Sequence, residues 1–168
     1  LCLICCGVGF GAEPAAAPGH PDTSGWEKLF ADDLSDAIYP KDVWSIQNGE
    51  LTASEDKHIW TKKQYENFII DLDFKNGPAA NSGVYVYGTD TVKPTGKAVE
   101  IQILDDYAPR WKDVAPTWHC GRIFGRLAPK KQVVKPAGQW NRMTITCKGP
   151  LISVVLNGQL VTEMDMRK

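Results

Sequence analysis

The chain has 168 residues, with 19 Lys and Arg against 20 Asp and Glu for a net charge of −1. That length makes one domain with a sizeable core. The balanced charge, with neither a basic stripe nor an acidic tail, argues against a nucleic-acid or membrane-surface binder.

From the N-terminus, Leu1 to Phe10 is a short apolar run, followed by an Ala/Pro-rich stretch through Gly19. It is too short to span a bilayer and reads as the remainder of a secretory signal peptide. Residues 1–24 are therefore expected to be leader and linker, and the protein to be secreted or periplasmic with no membrane span. Cys2, Cys5 and Cys6 lie in that segment. Cys120 and Cys147 remain, either as one disulfide or as two small buried thiols.

The folded domain is expected over residues 25–168. Two alternating runs, Val43 to Gln47 and Glu50 to Ala53, meet at Asn48-Gly49, a strong hairpin signal. His58-Ile59-Trp60-Thr61 starts a short strand, and Lys62 to Glu66 is a polar connector with room for one helical turn. Asn67 to Phe74 alternates Phe68, Ile70, Leu72 and Phe74 against Ile69, Asp71 and Asp73. Asn81-Ser82-Gly83 reads as turn chemistry first and ligand contact second. In Ser82 to Tyr87, Tyr85 and Tyr87 share a face that suits cross-strand packing or a sugar platform.

Val99, Ile101 and Ile103 alternate with Glu100 and Gln102, the period-2 pattern of a strand with one dry and one wet face. A carboxylate and a carboxamide on the wet face, followed by Asp105-Asp106, are how a sheet presents itself to a hydroxyl-rich ligand. Tyr107 to Thr117 is a loop beside the strand end, where binding sites are often built. Trp118 to Leu127 is expected as a strand broken by Gly121 and Gly125. Asn141 to Cys147 is another, and Leu151 to Leu156 with Gln159 to Glu163 forms a second hairpin on Asn157-Gly158. No run has helical period, so the class is all-β, a jelly-roll sandwich of two antiparallel sheets. The chain stops directly after a hairpin, where a sandwich should close with further strands; truncation at the C-terminus is expected.

The ordered set Gly25-Trp26-x-x-Leu29-Phe30, Trp44-x-Ile46-x-Asn48-Gly49-x-Leu51, Ile59-Trp60-Thr61, Asn81-Ser82-Gly83-Val84-Tyr85, Glu100-Ile101-Gln102-Ile103-Leu104-Asp105, Pro136-Ala137-Gly138-x-Trp140-Asn141 and Leu156-Asn157-Gly158 resembles the 3-keto-disaccharide hydrolase domain family. The resemblance implies a concanavalin-like jelly roll, secretion by bacteria, and action on an oligosaccharide or glycoside oxidised at the 3-position of the sugar.

The Glu100-x-Gln102-x-x-Asp105 spacing also resembles the catalytic strand of laminarinase-type glycosidases. Five strand residues separate the Cα atoms of Glu100 and Asp105 by ~16 Å, whereas a retaining glycosidase needs its carboxyl groups roughly 5 Å apart. Double displacement is disfavoured. A 3-keto sugar asks for less. Its carbonyl acidifies the C2 proton, so one base and a positive group near the enolate oxygen suffice for elimination of the aglycone, and water then adds. Glu100 is the candidate base, Gln102 orients substrate, and Arg122 or Arg126 stabilises the enolate. Tyr85, Asp105, Arg126 and His119 are candidate substrate contacts. A divalent metal ion held by Glu100 with His119 or Asp105 is an alternative electrophile. A non-catalytic carbohydrate-binding module on the same fold is the competing function.

Overall fold

The computed structural model describes residues 2–9, 19–94, 96–128 and 131–168. Strands account for nearly all regular structure: β1 (Cys2–Gly9), β2 (Ala37–Ile38), β3 (Trp44–Gln47), β4 (Glu50–Ala53), β5 (Trp60–Thr61), β6 (Phe68–Lys75), β7 (Asn81–Val86), β8 (Val99–Leu104), β9 (Trp140–Lys148), β10 (Leu151–Leu156) and β11 (Gln159–Asp165). Two single-turn 3-10 helices, Pro109–Trp111 and Pro116–Trp118, interrupt the loop after β8. The strands form a seven-stranded sheet in the order β11-β10-β9-β6-β1-β4-β3, a β7-β8 pair and a small β2-β5 pair. Every ladder between them is antiparallel. The all-β expectation holds.

Both Asn-Gly hairpins are present because their chemistry is local. Asn48 and Gly49 take φ of 53° and 79°, and Asn157 and Gly158 take 48° and 77°, the paired positive values of a two-residue turn whose twist matches its strands. The core is likewise legible. Leu72, Phe74, Met143, Ile145, Ile152, Val154 and Leu156 from the large sheet pack with Val99, Ile101 and Ile103 of β8 in one buried cluster. Each such side chain contributes about 1.5–3 kcal/mol on burial. Because the inward faces of β8 and β6 meet in this core, their polar faces point to opposite outer surfaces of the sandwich.

Residues 2–9 of the apolar run read as leader are extended as β1 between β4 and β6. Of the expected linker, residues 12–18 lie outside the described residues. The structure departs from the sequence reading at four places. Residues 62–66 make no helical turn. Asn81 to Gly83 is not a turn but the first half of β7, paired with Gln102 to Leu104. Tyr87 does not share a face with Tyr85. It adopts φ 54° just past the strand, donates to Gly149 O at 2.6 Å and packs its ring near Phe68. Finally, Trp118 to Leu127 forms only isolated bridges, Ile101 to Ile123 and Ile123 to Leu127. Cys120 and Cys147 are free, buried thiols, and burial pushes the pKa of both up to about 12.

Candidate active site

The outward face of β8 is built in two rows. In the first, Tyr85 of β7 pairs with Glu100, and on the other side Phe124 N donates to Glu100 O at 2.9 Å. In the second, Gly83 pairs with Gln102, and Gln102 is flanked by Gly121 and Arg122. Gly121 N donates to Gln102 O at 2.8 Å while Gln102 N donates to Arg122 O at 2.9 Å. Two residues thus oppose one, and the first is a glycine at φ 79°, which is a G1 β-bulge. The bulge sets Arg122 beside Gln102. Bulges of this kind re-aim side chains next to active sites.

Gly83 makes room for the carboxylate. A Cβ there would stand 2.6 Å from Glu100 Oε1 and 2.8 Å from its Cγ. The Glu100 side chain therefore lies over the β7 backbone, leaning toward the second row. It is half-buried, and burial raises its pKa. The Tyr85 hydroxyl, hydrogen-bonded to it, acts against that shift, and the Asp56 charge adds to it. A carboxylate made more basic in this way is suited to accept a proton near neutral pH. Tyr85 itself is pushed up to about 12 by burial and then by Glu100, so it stays a donor.

The second row is buried and incompletely paired. Gln102 is 1% exposed and Arg122 8%. Gln102 Nε2 donates to Asn81 Oδ1 at 2.8 Å, but Gln102 Oε1 and Arg122 Nε and Nη1 have no hydrogen-bond partner among the described residues. Burial pulls the Arg122 pKa down, with the Asp106 charge opposing it. Buried polar atoms are almost always paired, so three orphaned atoms in adjacent side chains are an exception to that rule.

Aromatic rings brace both flanks. Trp60 stacks on Tyr85 with centroids 5.7 Å apart and planes at 22°, and His58 meets the Tyr85 edge at 5.3 Å. Trp118 lies 4.9 Å from Phe124. A cleft of about 260 Å³ opens beside Glu100, bounded by Tyr85, Ala98, Val99, Ile123, Phe124 and Arg126.

Glu100, Gln102, Arg122, Tyr85 and Arg126 are thus brought to one surface. Asp105 and His119 lie on the chain that follows β8, and each has contacts of its own there. Asp105 is 4% exposed and its Oδ2 accepts from Ala79 N at 2.8 Å, so it ties two loops together. His119 Nδ1 is 3.2 Å from Asp106 Oδ1 but makes no hydrogen bond by geometry, and Asp106 also accepts from Cys120 N and Gln132 Nε2. Among the described residues no three His, Cys, Asp or Glu side chains converge on a point that could hold a metal ion. Neither Glu100 with His119 nor Glu100 with Asp105 belongs to such a group. His58, Trp60, Trp118 and Phe124 escaped the sequence reading as site residues; they reach Tyr85 and the Glu100 row only through contacts between distant segments.

The family described as the 3-keto-alpha-glucoside-1,2-lyase-like domain matches residues 18–168. Among solved structures, a protein of Parabacteroides distasonis ATCC 8503 named as a candidate glycosyl hydrolase is 50% identical, with TM-score 0.79 over 82% of this chain and 71% of that chain. A second candidate glycosyl hydrolase of that organism is 23% identical, with TM-score 0.72 over 84% of this chain and 73% of its own. A third is 19% identical, with TM-score 0.62 over 91% and 74%. At those identities the last two show the shared fold alone. No curated protein matches the chain.

Proposed function

Because the chain belongs to the 3-keto-alpha-glucoside-1,2-lyase-like domain family, we propose that it is a glycosidase-type enzyme that cleaves 3-keto-glucosides by elimination across C1 and C2. The observation that carries this reading is the half-buried Glu100, raised in pKa by that burial, one row from a buried and unpaired Arg122.

In this mechanism Glu100 takes the C2 proton, and the electrons of that bond form an enolate whose charge settles on the 3-oxygen. Arg122 supplies the positive charge and free N–H groups for that oxygen, and the unpaired Gln102 Oε1 accepts a sugar hydroxyl. Electrostatic help of this kind costs little reorganisation because the groups are already fixed by the bulge. The enolate then expels the aglycone: the C1–O bond breaks and its electron pair leaves on the aglycone oxygen, which takes up a proton. Water adds across the C1–C2 double bond, its hydroxyl to C1 and a proton to C2. The net reaction is hydrolysis. The proton affinity of Glu100 implies that kcat/KM rises with pH through a midpoint above the ordinary carboxylate range. We also propose secretion or a periplasmic location, on the support of the apolar run before Gly11.

The test is release of a chromogenic aglycone from a 3-keto-glucoside and from its parent glucoside. Release from the first alone is expected. Sugar binding with no release from either would replace this reading with the binding-module alternative.

A further inference from the structure

We propose that the cleft beside Glu100 is the aglycone subsite and that it selects planar, apolar leaving groups; this rests on the 3-keto-glucoside reading above. The outward face of β8 is chemically polarised along the strand, and Glu100 sits at the junction. At the Gln102 level every feature is polar: the Asn81 amide, the unpaired Gln102 Oε1, and the unpaired Arg122 Nε and Nη1. Two residues back along the strand, about 6.6 Å away, the cleft is bounded by Ala98, Val99, Ile123 and the rings of Tyr85 and Phe124, with exposed Arg126 at its edge.

A desolvated sugar ring needs a partner for each hydroxyl. The polar level is made of such partners, whereas the walls of the cleft are mostly apolar. The sugar therefore belongs over Gln102 and Arg122, with C2 toward the Glu100 carboxylate that leans over Gly83. The C1 substituent then extends into the cleft.

The size and walls of the cleft name its occupant. An apolar cavity of about 150 Å³ accepts a benzene ring, so about 260 Å³ takes one substituted ring or a fused bicycle. The rings facing it are held in place, Tyr85 by Trp60 at 5.7 Å and Phe124 by Trp118 at 4.9 Å, and braced rings stack on a planar guest with little ordering cost. Elimination sends an electron pair out on the aglycone oxygen. An aryl oxide carries that charge better than an alkoxide, and Arg126 is a cation at the cleft edge to meet it.

The experiment compares phenyl and methyl 3-keto-glucosides and a 3-keto-disaccharide, with wild type, Phe124→Ala and Ala98→Phe, each variant first shown folded by its thermal melt. Leaving-group ability cancels when the phenyl-to-methyl preference of a variant is divided by that of wild type. Wild type is expected to favour the phenyl glucoside. Phe124→Ala should cut the phenyl-to-methyl preference in kcat/KM about tenfold, chiefly through KM, as expected for a lost ring contact. Ala98→Phe, which fills the cleft from another wall, should cut it in the same direction. An unchanged preference in both variants, or faster wild-type turnover of the disaccharide than of the phenyl glucoside, overturns the subsite and leaves the elimination reading standing. No turnover of any of the three substrates by wild type overturns both.

Discussion

The sandwich carries a buried polar cluster on each outer face, and the two differ in how completely they are paired. On the large sheet, Asp71 is 0% exposed and every oxygen is used. Arg142 Nε donates to its Oδ2 at 2.9 Å and the Thr144 hydroxyl donates to its Oδ1. His20, reaching in from the N-terminal segment, contacts Thr144 Oγ1 at 2.8 Å through Nδ1 and accepts from Gly158 N at 2.9 Å through Nε2. Pro21 O accepts from Arg142 Nη2. On β8, by contrast, Gln102 Oε1 and two Arg122 nitrogens are left open. A closed network holds strands together and fixes a segment over them; an open one leaves valence for a ligand. Burial of charge alone would not distinguish a site from a fastening. Satisfaction does.

Substituting the β8 carboxylate should give the largest effect. Glu100→Gln is expected to lower kcat by about 10³-fold, the scale of a lost general base. It should also gain stability. A raised folded-state pKa means the native state holds more protons than the unfolded one, so stability falls as pH rises through that pKa. Removing the charge should therefore raise the melting temperature relative to wild type more at pH 7 than at pH 4. A variant that loses stability equally at both would show Glu100 to be a fastening like Asp71.

Next in size is the exchange of roles between the two clusters. Arg122→Met should lower kcat about 10²-fold, as for a lost oxyanion donor, with little loss of stability because the guanidinium is buried with open donors. Asp71→Asn should do the reverse, costing about 3 kcal/mol in a denaturant melt by removing a buried carboxylate that accepts from both Arg142 and Thr144, with kcat unchanged. Equal effects of both variants on kcat would dissolve the distinction.

The smallest expected effect concerns His20. Burial lowers its pKa from 6.5, against the pull of Asp71, and both ring nitrogens are committed in the neutral form. Because the unfolded state then binds the proton more readily, stability should fall as pH drops below about 6.5 and through the lower native pKa. Asp73 and Arg142 also face the ring, with opposite signs. His20→Gln should flatten that part of the stability profile. A profile unchanged by the substitution would show that the segment over Asp71 is held without the imidazole.

Much of the fold was legible because its determinants are local. Positive φ at Asn48-Gly49 and Asn157-Gly158, and alternation in β6, β8 and β9, need no knowledge of partners. Glu100 and Gln102 were legible for the same reason: the alternation of β8 sends both outward. What was hidden depends on pairing between distant segments. Period-2 reading of 118–127 cannot show that Gly121 bulges against Gln102 and aligns Arg122. The placement of Trp60 on Tyr85 follows from β5 pairing with β2, not with its neighbour in sequence. Asp105 looked like a site residue at the strand end, yet backbone N–H groups of the flanking loops claim its carboxylate. Asp71 read as an ordinary wet-face residue and is covered by a segment 51 positions earlier, from 20 to 71.

The most direct test of the account is the fate of deuterium placed at C2 of a 3-keto-glucoside turned over in ordinary water. Removal of that atom by Glu100 predicts a 3-keto-glucose product that has lost the label to solvent, and a slower rate for the labelled substrate than for the unlabelled one. Both signals should vanish, with turnover, in Glu100→Gln. A product that keeps its C2 deuterium, formed at the same rate from labelled and unlabelled substrate, would mean that C1 is attacked without C2 ever being deprotonated, and Glu100 would not be the base.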